Sequence, residues 1–429
     1  MQGIELPEGE FCDADSPLKP CQAREFTPVA RSRRVPRHVL HAVPVYALVF
    51  AAGMVQTALA PLGPVYAAEL HLTRVQVGAL FAAASVAMLL VTLPIGMVTD
   101  RLGARRLTVA AALLVGLSAL GQGFARDFWL LLGSRALFGV AFGAVWTAGL
   151  AFLAEGGTRE RPSSLGATIP ISGVAGAIGP AFAGVAAARF GLVVPFVAIA
   201  AVAGAAAVAL MLAPAPLAPE PVEHLDLVGM LRAARGNRLV LGSAVMMAAA
   251  GFSSSVAYVL VPLRLRSNGI SVAAIGAILG GAAVLYIGAG IVTNRLGKRA
   301  VTPSAAGLSV LALGLVPVLP AVSLATVTLV AFLFVRSACN AIVSTIAYPL
   351  ASGGAAATGL GAGAAIGFIN AVWATSTVVA PLAAGAIAQS AGDRLAFALL
   401  IPITLAVGAW LLIGARPTRA PFRGARSRR

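Results

Sequence analysis

Charge is what this sequence has least of. Only 11% of its 429 residues are charged, whereas charged residues make up about a quarter of a soluble domain. Hydrophobic residues account for 59%, and the mean hydropathy is +0.92. This composition excludes a soluble fold and indicates a protein that crosses a membrane several times. The apolar runs are helix-long and not ten-residue alternations, so we expect α-helices and no β-barrel.

Acidic residues and histidines are missing from the centres of the apolar runs. All 15 acids lie in a tail, in a linker or at the ends of the runs, and the four histidines also lie outside. Because a proton pathway normally uses buried Asp, Glu or His, proton coupling would depend on acids at the membrane rims. The three cysteines have no metal or disulfide spacing, and no catalytic set or nucleotide-binding loop is present. We therefore expect no enzyme activity, no metal and no cofactor.

The cationic residues are distributed unevenly along the chain. Arg and Lys number 31 against 15 acids, giving a net charge of +16, and most of them fall in alternate loops and in the two tails. This positive-inside bias predicts that both termini are cytoplasmic. Anionic lipid headgroups on the cytoplasmic side account for the charge, so we expect no nucleic-acid partner. We expect a multi-pass plasma-membrane protein that acts as a monomer on a small molecule.

A short basic turn occurs twice. The segment 96–106, GMVTDRLGARR, lies between two apolar runs, and the segment 290–299, GIVTNRLGKR, repeats it 194 residues later. Three residue pairs on other runs share an offset of 201 residues: Pro61 and Pro262, Arg135 and Arg336, Pro180 and Pro381. The sequence therefore predicts two related halves packed side by side.

At about 20 residues per span, hydropathy predicts twelve spans, six in each half. The expected fold is an all-α membrane protein with twelve transmembrane helices in two pseudo-symmetric six-helix bundles. The predicted domains are a disordered cytoplasmic tail (1–40), the first bundle (41–213), a proline-rich cytoplasmic linker (214–236), the second bundle (237–415) and a basic tail (416–429).

Two arginines lie inside predicted spans. Arg135 stands about 12 Å from the outer end of the fourth span, where a charged side chain costs about 3 kcal/mol or more. Such a residue is expected to face a cavity or a partner, so Arg135 and its repeat mate Arg336 are candidates for coupling or for binding a substrate charge. The alternative is that backbone carbonyls satisfy the Arg135 guanidinium.

Two further sets of residues are candidates for function. Glycines and prolines that permit close packing and helix bending predict a hinge at Gly176, Gly179, Pro180, Gly184 and Pro381. Polar and aromatic residues in apolar surroundings predict a substrate cavity at Gln56, Trp146, Ser254, Tyr258, Tyr286, Asn340, Asn370 and Trp373. For each of these residues, helix packing is the alternative.

Asp100 is a candidate latch. It ends the second span, where the dipole of its own helix disfavours a carboxylate. The eleventh span begins on the same side in the other half, so a contact there would hold the halves together at the cytoplasmic face. Asn294 cannot make the charged version in the second copy, and a solvated loop acid is the alternative for Asp100.

Three segments resemble motifs of the major facilitator superfamily. Residues 96–106 resemble its loop signature, Arg135 with Gly139 and Gly143 resembles its fourth-helix motif, and residues 176–184 are similar to a fifth-helix motif of drug:proton antiporters. The resemblance covers residues 43–415 and implies alternating access around a central site. It also implies that Arg135 takes part in proton coupling and that Glu155 pairs with the basic loop. The implied conformational switch comprises Gly96, Asp100, Arg101, Gly103, Arg105, Arg106, Glu155, Asn294 and Arg295.

Three functions compete. The first is a secondary transporter that exports drug-like compounds or metabolites in exchange for protons, which the fifth-helix motif and the apolar cavity favour. The second is a carrier of small organic or inorganic anions, because Arg135 and Arg336 are the full charges within the spans. The third is a membrane sensor or scaffold without transport, against which the glycine-lined helices and the intact loop signature argue.

Overall fold

The computed structural model describes residues 37–155, 167–213, 236–299, 301–357 and 362–414. Within them it has twelve helices long and apolar enough to cross a membrane, as predicted. These are α1 (Arg37–Glu69), α2 (Arg74–Leu102), α3 (Ala104–Gly123), α4 (Phe128–Ala144, then Val145–Gly149 and Leu150–Glu155), α5 (Thr168–Phe190), α6 (Val193–Leu212), α7 (Arg238–Ser267), α8 (Val272–Arg295), α9 (Pro303–Leu315, then Val318–Val322), α10 (Thr326–Ala357), α11 (Ala362–Ala391) and α12 (Asp393–Ala398, then Leu400–Gly414).

Short polar residues fix where several helices begin. The Thr73 hydroxyl accepts a hydrogen bond from the backbone N–H of Gln76, and the Gln76 side chain accepts one from the N–H of Thr73, which forms a capping box at the start of α2. The side chains of Asp127, Ser271 and Thr302 each accept one backbone N–H at the start of α4, α8 and α9, without the reciprocal bond. Each cap satisfies backbone donors that the helix leaves unpaired, so each helix starts at a defined residue.

The repeated basic turn adopts related backbone conformations in the two halves. Gly103, between α2 and α3, has a φ of 84°, and Gly297, between α8 and α9, has a φ of 56°. A side chain with a Cβ rarely adopts this region. The glycine shared by the two segments therefore serves the same geometric purpose, which supports a structural repeat.

Each half has its own apolar core. Large side chains such as Leu48, Phe138 and Phe196 are completely buried in the first half, and Val240, Val310 and Val343 are buried in the second. Other large apolar side chains are exposed on the outside of the bundle, for example Trp129 at 75% and Val327 at 80%. An apolar exterior over helices of this length suits lipid and not water.

The two halves meet along two pairs of helices, α5 with α8 and α2 with α11. We call these contacts the α5–α8 seam and the α2–α11 seam. A third core cluster joins Ala60 and Val77 of the first half to Val256, Leu260 and Ala384 of the second. Since spans alternate in direction, all of these residues lie towards the end of the bundle that carries Arg74 and Asp393. We call it the seam end, and the opposite end, which carries Gly103 and Gly297, the basic end.

The helix α4 is interrupted near its middle. Residues Val145–Gly149 form a π-helical segment between two α-helical parts. Such segments hold one more residue per turn than an α-helix and occur frequently at functional sites. Here the segment carries Trp146, one of the residues expected in the cavity.

Candidate functional site

A polar cluster joins α7 and α10 in the second half. The Arg336 guanidinium donates hydrogen bonds from Nη1 to Ser254 Oγ, at 3.0 Å, and from Nη2 to Ser337 Oγ, at 3.3 Å. Asn340, one turn further along α10, donates from Nδ2 to the same Ser254 Oγ, at 3.2 Å. Ser254 therefore accepts two donors at once and fixes both side chains against α7.

Aromatic residues line the same cluster. The Cζ atom of Arg336 lies 5.5 Å from the centroid of the Tyr258 ring, a distance at which the ring face attracts a cation. Tyr286 of α8, which the sequence also predicts to line the cavity, is 38% exposed. The cluster thus pairs a buried arginine with the face of an aromatic ring.

Two polar atoms of this cluster have no hydrogen-bond partner among the described residues. They are Arg336 Nε, a donor, and Asn340 Oδ1, an acceptor. Arg336 is only 2% exposed and Asn340 only 9%. A buried polar group left unpaired costs about 1–3 kcal/mol. A donor and an acceptor left unpaired in the same buried cluster are therefore suited to receive a ligand.

The remaining predicted cavity residues of the second half, Asn370 and Trp373, lie on α11. Trp373 packs against Gly251 of α7, where a Cβ would come within 3.3 Å of Trp373 Cδ1. Asn370 is exposed, and its Oδ1 accepts a 2.8 Å hydrogen bond from the Tyr348 hydroxyl. Gly251 stands one turn before Ser254 on α7. Trp373 therefore lies next to the cluster along the helix, whereas Asn370 belongs to a separate α10–α11 contact.

Arg135 has different surroundings from its repeat mate. It is completely buried, and its Nε and Nη1 donate to the carbonyl oxygens of Leu80 and Val55 at 3.2 and 3.4 Å. Its Cζ lies 5.2 Å from the Phe138 ring centroid, and its Nη2 has no partner among the described residues. Arg135 thus joins α4 to α1 and α2 through backbone carbonyls. This is the alternative that the sequence left open for Arg135, in which main-chain carbonyls accept from its guanidinium.

An aromatic row continues from Arg135 along α4. The Phe138 and Phe142 ring centroids are 5.5 Å apart, and those of Phe142 and Trp146 are 6.1 Å apart. Trp146 is half-buried, as is Gln56 of α1. Among the predicted cavity residues, those of the first half therefore present mainly aromatic surface. The hydrogen-bonding groups of the α7–α10 cluster belong to the second half.

Three of the predicted hinge residues, Pro180, Gly184 and Pro381, lie in the two seams. Gly179 instead packs against α1, and a Cβ on Gly176 would meet nothing within 4 Å. A Cβ on Gly276 of α8 would clash with the carbonyl oxygen of Pro180, and a Cβ on Gly78 of α2 would clash with that of Pro381. Gly184 and Gly385, one turn after each proline, also contact the facing helix backbone closely. The two prolines therefore make equivalent close contacts in the two halves, each against a glycine of the facing helix.

The seam end is also held by polar contacts between α2 and the segment that joins α11 to α12. Arg74 forms an ion pair with Asp393, and the N–H of Val75 donates to Gln389 Oε1 at 3.3 Å. Deeper in the seam, Thr377 Oγ1 donates to Ser85 Oγ at 3.0 Å. Asp393 occupies the first turn of α12, where the helix dipole favours a carboxylate.

Towards the basic end, the surfaces of α2 and α11 become exposed. Met97 of α2 is 57% exposed, and Thr375 and Asn370 of α11 are exposed as well. The close contacts between these two helices among the described side chains run from Arg74 to Ser85 on α2 and from Thr377 to Gln389 on α11. The structure is therefore closed at the seam end, and the described close contacts between the two helices stop short of the basic end.

The structure describes only some of the side chains of the implied conformational switch. Arg105 donates to the carbonyl oxygens of Leu210, at 3.0 Å, and Met211 at the end of α6. Arg101, Arg106, Asn294 and Arg295 are exposed, and a Cβ on Gly96 would lie 4.0 Å from Thr147 Cγ2. The side chains of Asp100 and Glu155 lie outside the described part, and so do those of the first residues of α11. The latch at Asp100 and the pairing of Glu155 thus stay predictions.

Sequence reasoning missed the partners of the predicted hinge. Gly78, Gly276 and the Arg74–Asp393 pair were not among the candidates, although they make the closest contacts between the halves. A signal was available, because Gly78 and Gly276 occupy similar places in the two copies of the repeat, near the start of α2 and of α8. Within the described residues, no group of three or more His, Cys, Asp or Glu side chains could hold a metal ion.

The fold defines a class. Twelve spans in two halves, with helix seams closed at one end and a polar cluster near mid-membrane, have the architecture of a transporter of the major facilitator type. The sequence model of the Major Facilitator Superfamily matches residues 45–365, about three quarters of the chain. The chain belongs to this superfamily.

Solved structures show the same fold at low sequence identity. A bacterial homologue of the human lysosomal transporter Spinster, in an inward-facing and unoccupied conformation, is 13% identical and has a TM-score of 0.71, covering 89% of this chain and 98% of its own. A variant of the nucleoside transporter NupG is 12% identical with a TM-score of 0.70, covering 87% and 99%. No curated protein sequence matches this chain significantly.

Proposed function

We propose that this protein is a secondary transporter that moves a small molecule with an anionic or strongly hydrogen-bonding group across the plasma membrane by alternating access. The observation that carries the proposal is the α7–α10 cluster, in which Arg336 and Asn340 each keep one unpaired polar atom beside Ser254 and Tyr258. The unpaired donor suits a carboxylate, phosphate or carbonyl oxygen, and the acceptor suits a hydroxyl or amine hydrogen. Tyr286 and Trp373 supply the apolar surface for the rest of the molecule.

Arg336 is a better candidate for a substrate anchor than Arg135. Both are buried, but Arg135 is bonded to two main-chain carbonyls, whereas two of the three Arg336 nitrogens contact serine hydroxyls. Hydroxyls can rotate to accept a substrate, and main-chain carbonyls of packed helices cannot. The anion hypothesis is therefore assigned to Arg336 alone, and Arg135 is assigned to the packing of the first half.

Proton-coupled export of drug-like compounds is the second candidate. It is supported by Pro180 and Gly184 of the fifth helix, which lie in the α5–α8 seam and permit the close packing that a moving helix requires. These contacts concern motion and not the choice of substrate. No described acidic side chain joins the α7–α10 cluster, so an antiporter of this kind would move its proton through acids nearer the rims.

We further propose that the basic end is cytoplasmic and that the described state is open to the cytoplasm. The arginine-rich loops and both tails are connected to helices at the basic end of the bundle. This agrees with the positive-inside rule. The inward-facing conformation of the similar Spinster homologue fits a state in which the opposite end is closed.

Flux into liposomes tests the function. The purified protein is reconstituted, and uptake of labelled organic anions, neutral amphiphiles and organic cations is compared with and without an imposed pH gradient. We expect saturable, protein-dependent flux of at least one anionic or polar compound. Flux restricted to cations or neutral amphiphiles and driven by the pH gradient would instead support proton-coupled export.

The variant Arg336→Gln separates the two candidates. It should lower the apparent affinity for an anionic substrate at least tenfold, because a hydrogen bond to a charged group contributes about 1.5–3 kcal/mol, while flux of neutral or cationic compounds should continue. Arg189→Gln, at an exposed position on α5, is the matched control and should leave both unchanged. Absence of flux for every compound, with a folded protein, would favour the sensor or scaffold.

A further inference from the structure

A cavity in the second half lies apart from the α7–α10 cluster. It has a volume of about 70 Å³ and is formed where α7 and α9 begin and α10 and α12 end, so it opens at the basic end. Its walls include Leu239, Gly242, Met246, Leu350 and Leu411. The transport proposal makes no use of this space.

The interior of the cavity is apolar. The hydroxyl of Ser243 already donates to the carbonyl oxygen of Leu239 at 2.8 Å, and the neighbouring wall residues Met246 and Ala306 carry no hydrogen-bonding side-chain group. A stable buried water needs two to four polar partners. The interior is therefore better suited to a hydrocarbon chain than to water.

The rim of the cavity, in contrast, is cationic and aromatic. Arg238, the first residue of α7, is exposed and borders the cavity together with Trp410, which is 38% exposed. The chain places two further arginines, Arg232 and Arg235, shortly before it. Arginine and tryptophan at the end of a span are the residues that contact lipid headgroups. A cation above an apolar cavity matches an amphiphile with an anionic head.

The first half closes the corresponding space itself. There, Arg105 in the first turn of α3 reaches the carbonyl oxygens of Leu210 and Met211 at the end of α6. In the second half, the first turn of α9 begins with Pro303 and reaches Ala306, and both residues line the cavity opposite Leu411 of α12. Segment 301–306 contains no cationic residue. Arg299, which matches Arg105 in the repeat, lies just before α9, is exposed and does not line the cavity.

We propose that this cavity is a binding site for an anionic phospholipid, with an acyl chain between α7, α9 and α12 and the phosphate at Arg238. The charge of the rim, the apolar walls and the position at the basic end all favour this occupant. The site would tie the ends of α7, α9 and α12 together and stabilise the second half from the membrane.

Lipid binding to the full-length protein tests the proposal. The detergent-purified protein is titrated with phosphatidylglycerol or phosphatidylcholine, and bound lipid is counted by native mass spectrometry while the melting temperature is recorded. We expect tight binding of phosphatidylglycerol with a rise in melting temperature, and weaker binding of phosphatidylcholine. The variant Arg238→Gln should weaken phosphatidylglycerol binding about fivefold.

Matched variants separate the site from general attraction between charges. Arg266→Gln removes an exposed arginine from the other end of the same helix and should leave binding unchanged. Ala306→Leu narrows the cavity and should weaken binding of both lipids while the protein still melts cooperatively.

Three results would overturn the proposal. One is an equal loss of binding in the two arginine variants, and another is unchanged phosphatidylglycerol binding in Ala306→Leu. The third concerns the basic tail. If neither lipid affected the wild-type protein but phosphatidylglycerol bound once residues 416–429 were removed, the tail would be the occupant of the cavity.

Discussion

At the scale of single residues, Ser254 matters more to the proposed site than its size suggests. Its Oγ accepts hydrogen bonds from both Arg336 and Asn340. Without it, two buried donors would lose their partner and the guanidinium would be free to change its orientation. The site therefore depends on a small uncharged residue to position its charge.

The variant Ser254→Ala should raise the apparent dissociation constant of a transported anion about tenfold, because two hydrogen bonds that orient the binding groups are lost. Flux assays with the substrate found in the liposome screen would measure it. Ser253→Ala is the control, since the Ser253 hydroxyl is buried and has no partner among the described residues. Equal effects of the two substitutions would contradict the positioning of Arg336 by Ser254.

Arg135→Gln should mainly affect stability. The shorter side chain loses the contacts with the carbonyls of Leu80 and Val55 and with the Phe138 ring, at a cost of about 2–3 kcal/mol. We expect the melting temperature in detergent to fall by several degrees, and Arg189→Gln to leave it unchanged. Loss of transport with an unchanged melting temperature would instead indicate a direct part for Arg135 in coupling.

At the scale of helices, the sequence could predict where the elements lie but not which of them face each other. Spans followed from composition and length, and Pro180 and Pro381 followed from the repeat. The facing glycines, Gly78 and Gly276, belong to the other half in each case. Their contacts depend on how two bundles dock, and no periodicity within a single helix encodes that arrangement.

The α5–α8 seam should be sensitive to a single methyl group. Gly276→Ala places a Cβ against the carbonyl oxygen of Pro180, and overpacking of this kind typically costs about 1–3 kcal/mol. The closed seam end should lose population in favour of a state open at that end. A cysteine in place of Ala181, which contacts Gly280 across the seam, should then react faster with a water-soluble reagent.

The same helix offers a control for this substitution. A Cβ on Gly288 would meet nothing within 4 Å, so Gly288→Ala should leave the reactivity of the cysteine unchanged. If Gly276→Ala also left it unchanged, the close packing of the seam would not limit the opening of the seam end.

At the scale of the whole molecule, closure of the seam end combines apolar packing with one ion pair between the halves. Arg74 and Asp393 are distant in the sequence, which is why sequence reasoning overlooked them. The core cluster of Ala60, Val77 and Val256 seals the space beneath them. Since Arg74 is 39% exposed, the pair is expected to contribute on the order of 1 kcal/mol.

Asp393→Asn should shift the balance between closed and open seam ends about fivefold towards the open state, in line with that energy. Cysteines at positions 85 and 377, where two hydroxyls lie 3.0 Å apart, would report closure by their rate of oxidative crosslinking, which should decrease. Arg394→Gln, at the exposed neighbouring residue, should leave the rate unaltered. An unchanged rate in Asp393→Asn would mean that packing alone holds this end.

The π-helical segment in α4 can be regarded as an α-helix into which one extra residue has been inserted. Deleting one residue between Val145 and Gly149 should let the two flanking parts join as a continuous α-helix, with little loss of folding. The aromatic row from Phe138 to Trp146 would then be cut or turned relative to α1 and α2. After this deletion we expect the protein to fold normally and to bind lipid, but to transport poorly. Such a result would show that the extra residue is required for transport and not for folding.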